Sequence, residues 1–192
     1  MAAAAGGDRA RPRVGLGVAL LRPDGALLVG TRLGSHGAGQ LAFPGGHLEG
    51  GESWAACAAR EVAEEAGLQL AEARFSLLGV TNDLMPHGLH YVTLFMGARL
   101  SDAEAGGVVN GEPHKCAGWE WVQPAALAAV SGGGGGADDN TSKAGGAAAE
   151  AAAAGGQPPL LPPPVMFTSL RNFLADGLAA GLATLPPPPL PR

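Results

Sequence analysis

Cysteine is scarce: Cys57 and Cys116 are the only two in 192 residues, and they lie far apart. That excludes a disulfide-built scaffold and a Cys-rich zinc site, and it fits a reducing compartment. Long apolar runs are missing as well. None approaches the roughly 20 residues needed to span a bilayer, so no membrane is expected. Positive charge is in deficit, with 12 Lys+Arg against 17 Asp+Glu and a formal charge of −5. Phosphate contacts need Lys or Arg in clusters, so a nucleic-acid polymer is not an expected partner.

Glycine and proline are abundant, at 32 and 16 residues. Half of those 48 fall in residues 1–13, 131–164 and 176–192. The rest of the chain is long enough to bury one sizeable core. The Ala-rich start, residues 1–13, holds three arginines and one acid and lacks the apolar core of a secretory signal. It reads as a disordered start to a cytoplasmic protein, with organelle import as the alternative. Residues 131–164 contain five consecutive glycines, Ala/Gly runs and two proline clusters. They cannot bury enough apolar surface to offset their ordering entropy and read as a disordered insertion. Residues 181–192 read as a solvated Pro-rich tail.

Between these segments the pattern is α/β. Residues 14–21 and 26–32 read as a hairpin turning at Pro23-Asp24-Gly25. Residues 41–43 form a brief strand ended by Pro44-Gly45-Gly46. Ser53 is a helix N-cap, and Gly67 with Leu68 closes that helix. Residues 74–84 and 89–100 are two strands about the turn 85–88, residues 101–117 a loop, and 118–122 a strand. Residues 124–130 form a short helix, and 165–174 an amphipathic helix that continues to 180 and docks on the 14–130 domain.

The chemistry is concentrated in residues 46–68, GHLEGGESWAACAAREVAEEAGL. On a helix, Glu61, Glu64 and Glu65 share one face at i, i+3 and i+4. Like charges there repel unless they are solvated or a cation sits among them. Carboxylate oxygens suit Mg²⁺ or Mn²⁺. Glu52 stands at the helix start, near the positive end of its dipole. Arg60, held among acids, can pair with Glu52 and orient it. Taken alone, three acids on a helix are as often a plain solvated face.

The whole spacing decides between these readings. The segment satisfies G-x5-E-x7-R-E-U-x-E-E-x-G-U, where U is a bulky aliphatic, here Val62 and Leu68. With Gly45–Glu49, His90–Thr93 and the stretch Glu112–Trp121, the chain resembles the Nudix hydrolases. Within that family it resembles the small eukaryotic MutT-like nucleoside triphosphate diphosphatases. The resemblance implies an α/β/α sandwich around a mixed sheet. It implies Mg²⁺ or Mn²⁺ held by Glu61, Glu64, Glu65 and the Gly46 carbonyl. Glu64 or Glu65 would activate water, with Glu52 and Arg60 completing the catalytic set. It also implies phosphate contacts from Arg32 and His47, a base pocket lined in part by Phe167, and a homodimer as a candidate assembly. A nucleotide, cleaved to a monophosphate and pyrophosphate, would be the partner, in the manner of nucleotide-pool sanitation.

Relatives carry a second glutamate where this chain has His114 in Glu112-Pro113-His114-Lys115-Cys116. Histidine is a poorer ligand for Mg²⁺. Trp119 and Trp121, alternating with Glu120, read as core-facing, and Cys57 as buried and inert. The same chemistry serves NADH, a nucleotide sugar or a prenyl diphosphate, and a non-catalytic nucleotide-binding module is the remaining alternative. A pocket combining aromatics with a hydrogen-bonding Asn or Asp favours a purine; an all-apolar pocket favours a prenyl chain.

Overall fold

The computed structural model describes residues 11–33, 37–85, 88–132, 165–166, 168–176 and 178–188. The segments expected to be disordered lie mostly outside these residues, as does Phe167. β1 (Arg13–Leu21) and β2 (Leu27–Arg32) form the expected hairpin, and β3 (Gln40–Ala42) follows. After α1 (Trp54–Ala66) come a 3-10 turn at Glu72–Arg74, β4 (Ser76–Leu84) and β5 (His90–Arg99). Then follow α2 (Asp102–Gly106), β6 (Cys116–Val122), α3 (Pro124–Gly132), β7 (Val165–Met166), α4 (Thr168–Asp176) and α5 (Leu178–Ala183).

The strands run β4-β5-β1-β2-β3-β7, with β6 on β2. The β1–β5 and β3–β7 pairs are parallel and the others antiparallel, so the sheet is mixed. Period-two alternation builds two layers on it. Leu16, Val18, Leu20, Leu94, Met96 and Ala98 point to one face and pack with Cys57, Ala58, Val62 and Ala66 of α1. Ala19, Leu21, Leu27, Val29 and Phe95 point to the other and meet Leu127 of α3, Leu170 and Phe173 of α4, and Leu182 of α5. Helices thus cover both faces, giving the α/β/α arrangement. No helix among the described residues is long and apolar enough to cross a membrane.

Four differences from the sequence expectation have physical causes. The 101–117 loop contains α2, nucleated by a capping box in which Ser101 and Glu104 satisfy each other's backbone N–H. The C-terminal helix begins at Thr168, because Val165 and Met166 pair in parallel with Gln40 and Leu41. The helical region then divides into α4 and α5. The expected tail is anchored at its start: Leu185 is 5% exposed, and Arg99 donates to the Leu182 and Leu185 carbonyls at 3.0 and 3.2 Å.

One feature of the sheet positions the site. β1 pairs with β2 at Leu21–Leu27. Farther along, residues 44–48 lie on the edge of β1. Val18 N–H donates to the Pro44 carbonyl, Leu16 N–H to Gly46 and Leu48 N–H to Val14, at 2.8, 2.8 and 3.2 Å. The sheet therefore grips the glycine-rich loop that leads into α1.

Candidate functional site

α1 is fixed at both ends. The Ser53 side chain accepts the Ala56 N–H at 3.0 Å. Gly67, at φ 71°, turns the chain out, and its N–H donates to Val62. The Trp119 indole N–H donates to the Glu65 carbonyl at 3.0 Å, tying β6 to the last turn. Trp119 and Trp121 pack against the α1-side core.

Arg60 organises the acids. Its Nε and Nη2 hold Glu52 through both carboxylate oxygens at 2.7 and 3.0 Å. Nη1 donates to Glu61 at 2.8 Å and lies 3.5 Å from Glu64. Nη2 also donates to the His47 carbonyl at 3.1 Å. One guanidinium thus joins the loop, the helix start and the helix face in a planar fork that lysine cannot reproduce. Arg60, and after it the Glu49 N–H, hold the Glu52 carboxyl down at about 2. Cys57 lies beneath this network, buried, with its thiol pushed up to about 12 chiefly by that burial.

Glu61 and Glu65 occupy the inner side. Glu61 is 7% exposed, and burial raises its carboxyl against the pull of Arg60. Glu65 accepts the Gly45 N–H at 2.8 Å. Burial lifts it to about 7; that N–H opposes the rise, and the nearby charges of Glu61 and Glu112 add to it. Glu64 is exposed on the same helix. The loop must be glycine here. A Cβ on Gly45 (φ 152°) would lie 2.0 Å from the Leu16 carbonyl oxygen, and one on Gly46 would lie 2.2 Å from a Glu61 oxygen.

The divalent ion that the resemblance implies can be tested against these residues. Among the described residues no three His, Cys, Asp or Glu side chains converge into a ready-made cage. The donors are nevertheless hard oxygens, and Glu61 and Glu65 are like charges held close under burial. Mg²⁺ is typically held by one or two carboxylates, with water and substrate phosphates completing its shell. The residues fit such an ion. The Gly46 carbonyl already accepts Leu16 N–H and has one lone pair left.

Other expected residues fall around this centre. Arg32 ends β2 beside Cys116 of β6. His47 is exposed, its Nε2 3.2 Å from the Tyr91 hydroxyl, and Arg13 donates to that same hydroxyl at 3.3 Å. His114 is exposed in a turn. Glu112, paired with Lys115 at 2.8 Å, is the acid of that segment whose field reaches Glu65. Sequence reasoning missed the Arg13–Tyr91–His47 group and the role of Glu112. His90–Thr93 is a visible motif, but its contact with His47 spans 44 residues.

Comparison with known proteins bears on the fold. The model of the NUDIX domain matches residues 11–139. The chain is similar to a MutT NUDIX hydrolase from Burkholderia pseudomallei, with a TM-score of 0.53 and 30% identity over 60% of this chain and 85% of that one. It shares its fold with a MutT protein from Methanosarcina mazei, with a TM-score of 0.56 and 16% identity over 87% of this chain and 94% of the other.

Proposed function

The chain belongs to the Nudix hydrolase family, and from that premise we propose that it is a divalent-metal-dependent nucleoside triphosphate diphosphatase. It would release a nucleoside monophosphate and pyrophosphate, with Mg²⁺ or Mn²⁺ as cofactor. The observation that favours a nucleotide is the sheet face under α4. Buried Thr81, Asp83, Thr93 and Ser169 lie there with Asn172, beside the stacked rings of Phe95 and Phe173, whose centroids are 4.1 Å apart. Aromatics with hydrogen-bonding groups suit a base; a prenyl chain calls for an apolar pocket.

In this reading Glu61, Glu65 and the Gly46 carbonyl hold the ion, with Glu64 at the rim. The bound ion would neutralise charge on the phosphate oxygens and make water more acidic. Arg60 keeps Glu61 and the 46–47 loop in register through the contacts described above. Glu64, or Glu65 where the ion leaves one of its oxygens free, would take the proton from the attacking water. A water oxygen then bonds to phosphorus as the bridging P–O bond breaks. Arg32 and His47 contact the phosphates.

The test is phosphate release, with added pyrophosphatase, across 8-oxo-dGTP, dGTP, dihydroneopterin triphosphate, NADH, ADP-ribose and geranyl diphosphate. A second phosphatase treatment reveals products that lack pyrophosphate, and Glu64→Gln and Glu65→Gln serve as controls. Glutamate-dependent turnover of a triphosphate is expected. Turnover confined to NADH, ADP-ribose or geranyl diphosphate would replace the substrate class. Tight nucleotide binding without turnover would make the protein a binding module.

A further inference from the structure

Asp83 is an acid in an unusual place. It lies in edge strand β4, yet it is 3% exposed because α4 covers it. Burying a carboxyl is costly unless both oxygens find donors. Here Asn172 Nδ2 donates to Oδ1 and the Thr81 hydroxyl to Oδ2, each at 2.6 Å. One strand over, the Thr93 hydroxyl donates to Ser169 Oγ of α4 at 3.1 Å, and both residues are buried. α4 is therefore seated by directed polar bonds as well as by Leu170 and Phe173.

The seat borders the catalytic loop. In the sheet register Asp83 faces Tyr91, Thr81 faces Thr93, and Thr93 faces Gly15. Gly15 in turn bridges to His47, and the Tyr91 hydroxyl meets the His47 ring. Two β5 residues, Tyr91 and Thr93, thus have the α4 seat on one side and the 46–47 loop on the other. Gly15 leaves room between them: the nearest atoms to a Cβ there would be those of Tyr91, Thr93 and the Gly46 carbonyl, at 3.6 Å or more.

We propose that Asp83 and Asn172 are a positioning pair that fixes α4 against β4 and β5, so that α4 holds the base end of the substrate in register with the phosphate site. The proposal rests on the nucleotide reading above. A hydrophobic helix seat tolerates sliding by a fraction of a turn, whereas a helix tied to the sheet at both Asn172 and Ser169 does not. The pair acts through α4 and touches neither phosphate nor the carboxylates of α1.

The test uses the full chain with Asp83→Asn, Asn172→Asp and the double exchange, in which amide and carboxyl trade places. Steady-state kinetics are measured on the triphosphate turned over best, and amide hydrogen exchange is followed in residues 168–176 and 54–66. Asn172→Asp sets two carboxyls face to face, and Asp83→Asn exchanges two charge-assisted bonds for neutral ones; each should raise KM, by about tenfold for Asn172→Asp and less for Asp83→Asn, with kcat falling less than about threefold. Exchange should quicken in 168–176 and stay unchanged in 54–66. The double exchange should recover both KM and protection. Single variants with unchanged KM and protection overturn the proposal. So does a double exchange that recovers neither, or a loss confined to kcat. If the wild-type protein turns over no triphosphate, the nucleotide reading fails by itself. The exchange data then decide whether the pair holds α4: protection lost in the singles and regained in the double supports it, and anything else overturns it.

Discussion

The two faces of the sheet at β4, β5 and β1, built from alternate residues of the same strands, differ in character. The face under α1 is apolar where the helix covers it, with Leu16, Val18, Leu20, Leu94, Met96 and Ala98, and the acidic groups stand on the helix. The face under α4 carries its polar groups in the sheet itself, at Thr81, Asp83 and Thr93, beside the glycines at 15 and 17. An apolar sheet lets α1 serve as a rigid platform whose acids can be crowded together at a cost in stability. A polar, partly glycine-lined sheet gives up core area and gains a surface that can be shaped for a ligand. In the proposed function, catalysis and recognition are thus assigned to opposite faces by strand periodicity.

The largest effect should come from striking the platform. Glu65→Gln removes one candidate base and one candidate ligand, and should lower turnover about a thousandfold or more at saturating Mg²⁺. Product formation in a single-turnover assay checks this. A loss below about tenfold would move the central role to Glu64. On the opposite face, Phe173→Ala removes a 4%-exposed ring stacked on Phe95 and should cost about 3–5 kcal/mol in urea unfolding. A cost under about 1 kcal/mol would mean that α4 contributes little to the core.

A pH series sharpens the contrast. The folded-state value of Glu65, about 7, lies above its ordinary 4.5. The native state therefore holds that proton more tightly than the unfolded chain. The associated stability is present below about pH 4.5 and is lost as pH rises through 7, by at most about 3.4 kcal/mol. In chelator, Glu65→Gln should thus be more stable than the parent at pH 8, with the gap closing by pH 5. Thermal melts of both proteins at the two pH values check this, and a pH-independent gap would refute it. The substitution that most damages activity would then be one that stabilises the metal-free fold, as expected where function is built on strain.

The two faces also differed in how far the sequence revealed them. The platform was legible because its determinants are local: Ser53 and Gly67 bracket the helix, and Glu52, Arg60, Glu61, Glu64 and Glu65 fall within 14 positions. The capping box of α2 was equally local, in Ser101 and Glu104, but it is short and lies among glycines. The α4 face was hidden because its bonds are long-range. Asp83 meets Asn172 across 89 residues, and Thr93 meets Ser169 across 76. A two-residue strand such as β7 has no pattern to read until β3 is beside it. Spacing can announce a helix face, but it cannot announce which distant side chain will close a buried carboxyl.

The gentlest test concerns Glu52, which belongs to the platform by sequence but stands at its rim in space. Its contribution is to hold Arg60, and Arg60 in turn holds Glu61 and the His47 carbonyl. Glu52→Gln keeps the shape and one acceptor oxygen but removes the charge from a bidentate pair. Outer partners of this kind commonly change metal affinity or activity by 10–100-fold, and a loss of about that size is expected here. If Glu52 acts only through Arg60, Arg60→Gln should lose at least as much as Glu52→Gln, and the double variant no more than Arg60→Gln, because Glu52 has nothing left to hold once Arg60 is gone. Independent, additive losses would instead place Glu52 in direct contact with the ion or the substrate. Mn²⁺ titration and turnover of the three variants distinguish these outcomes.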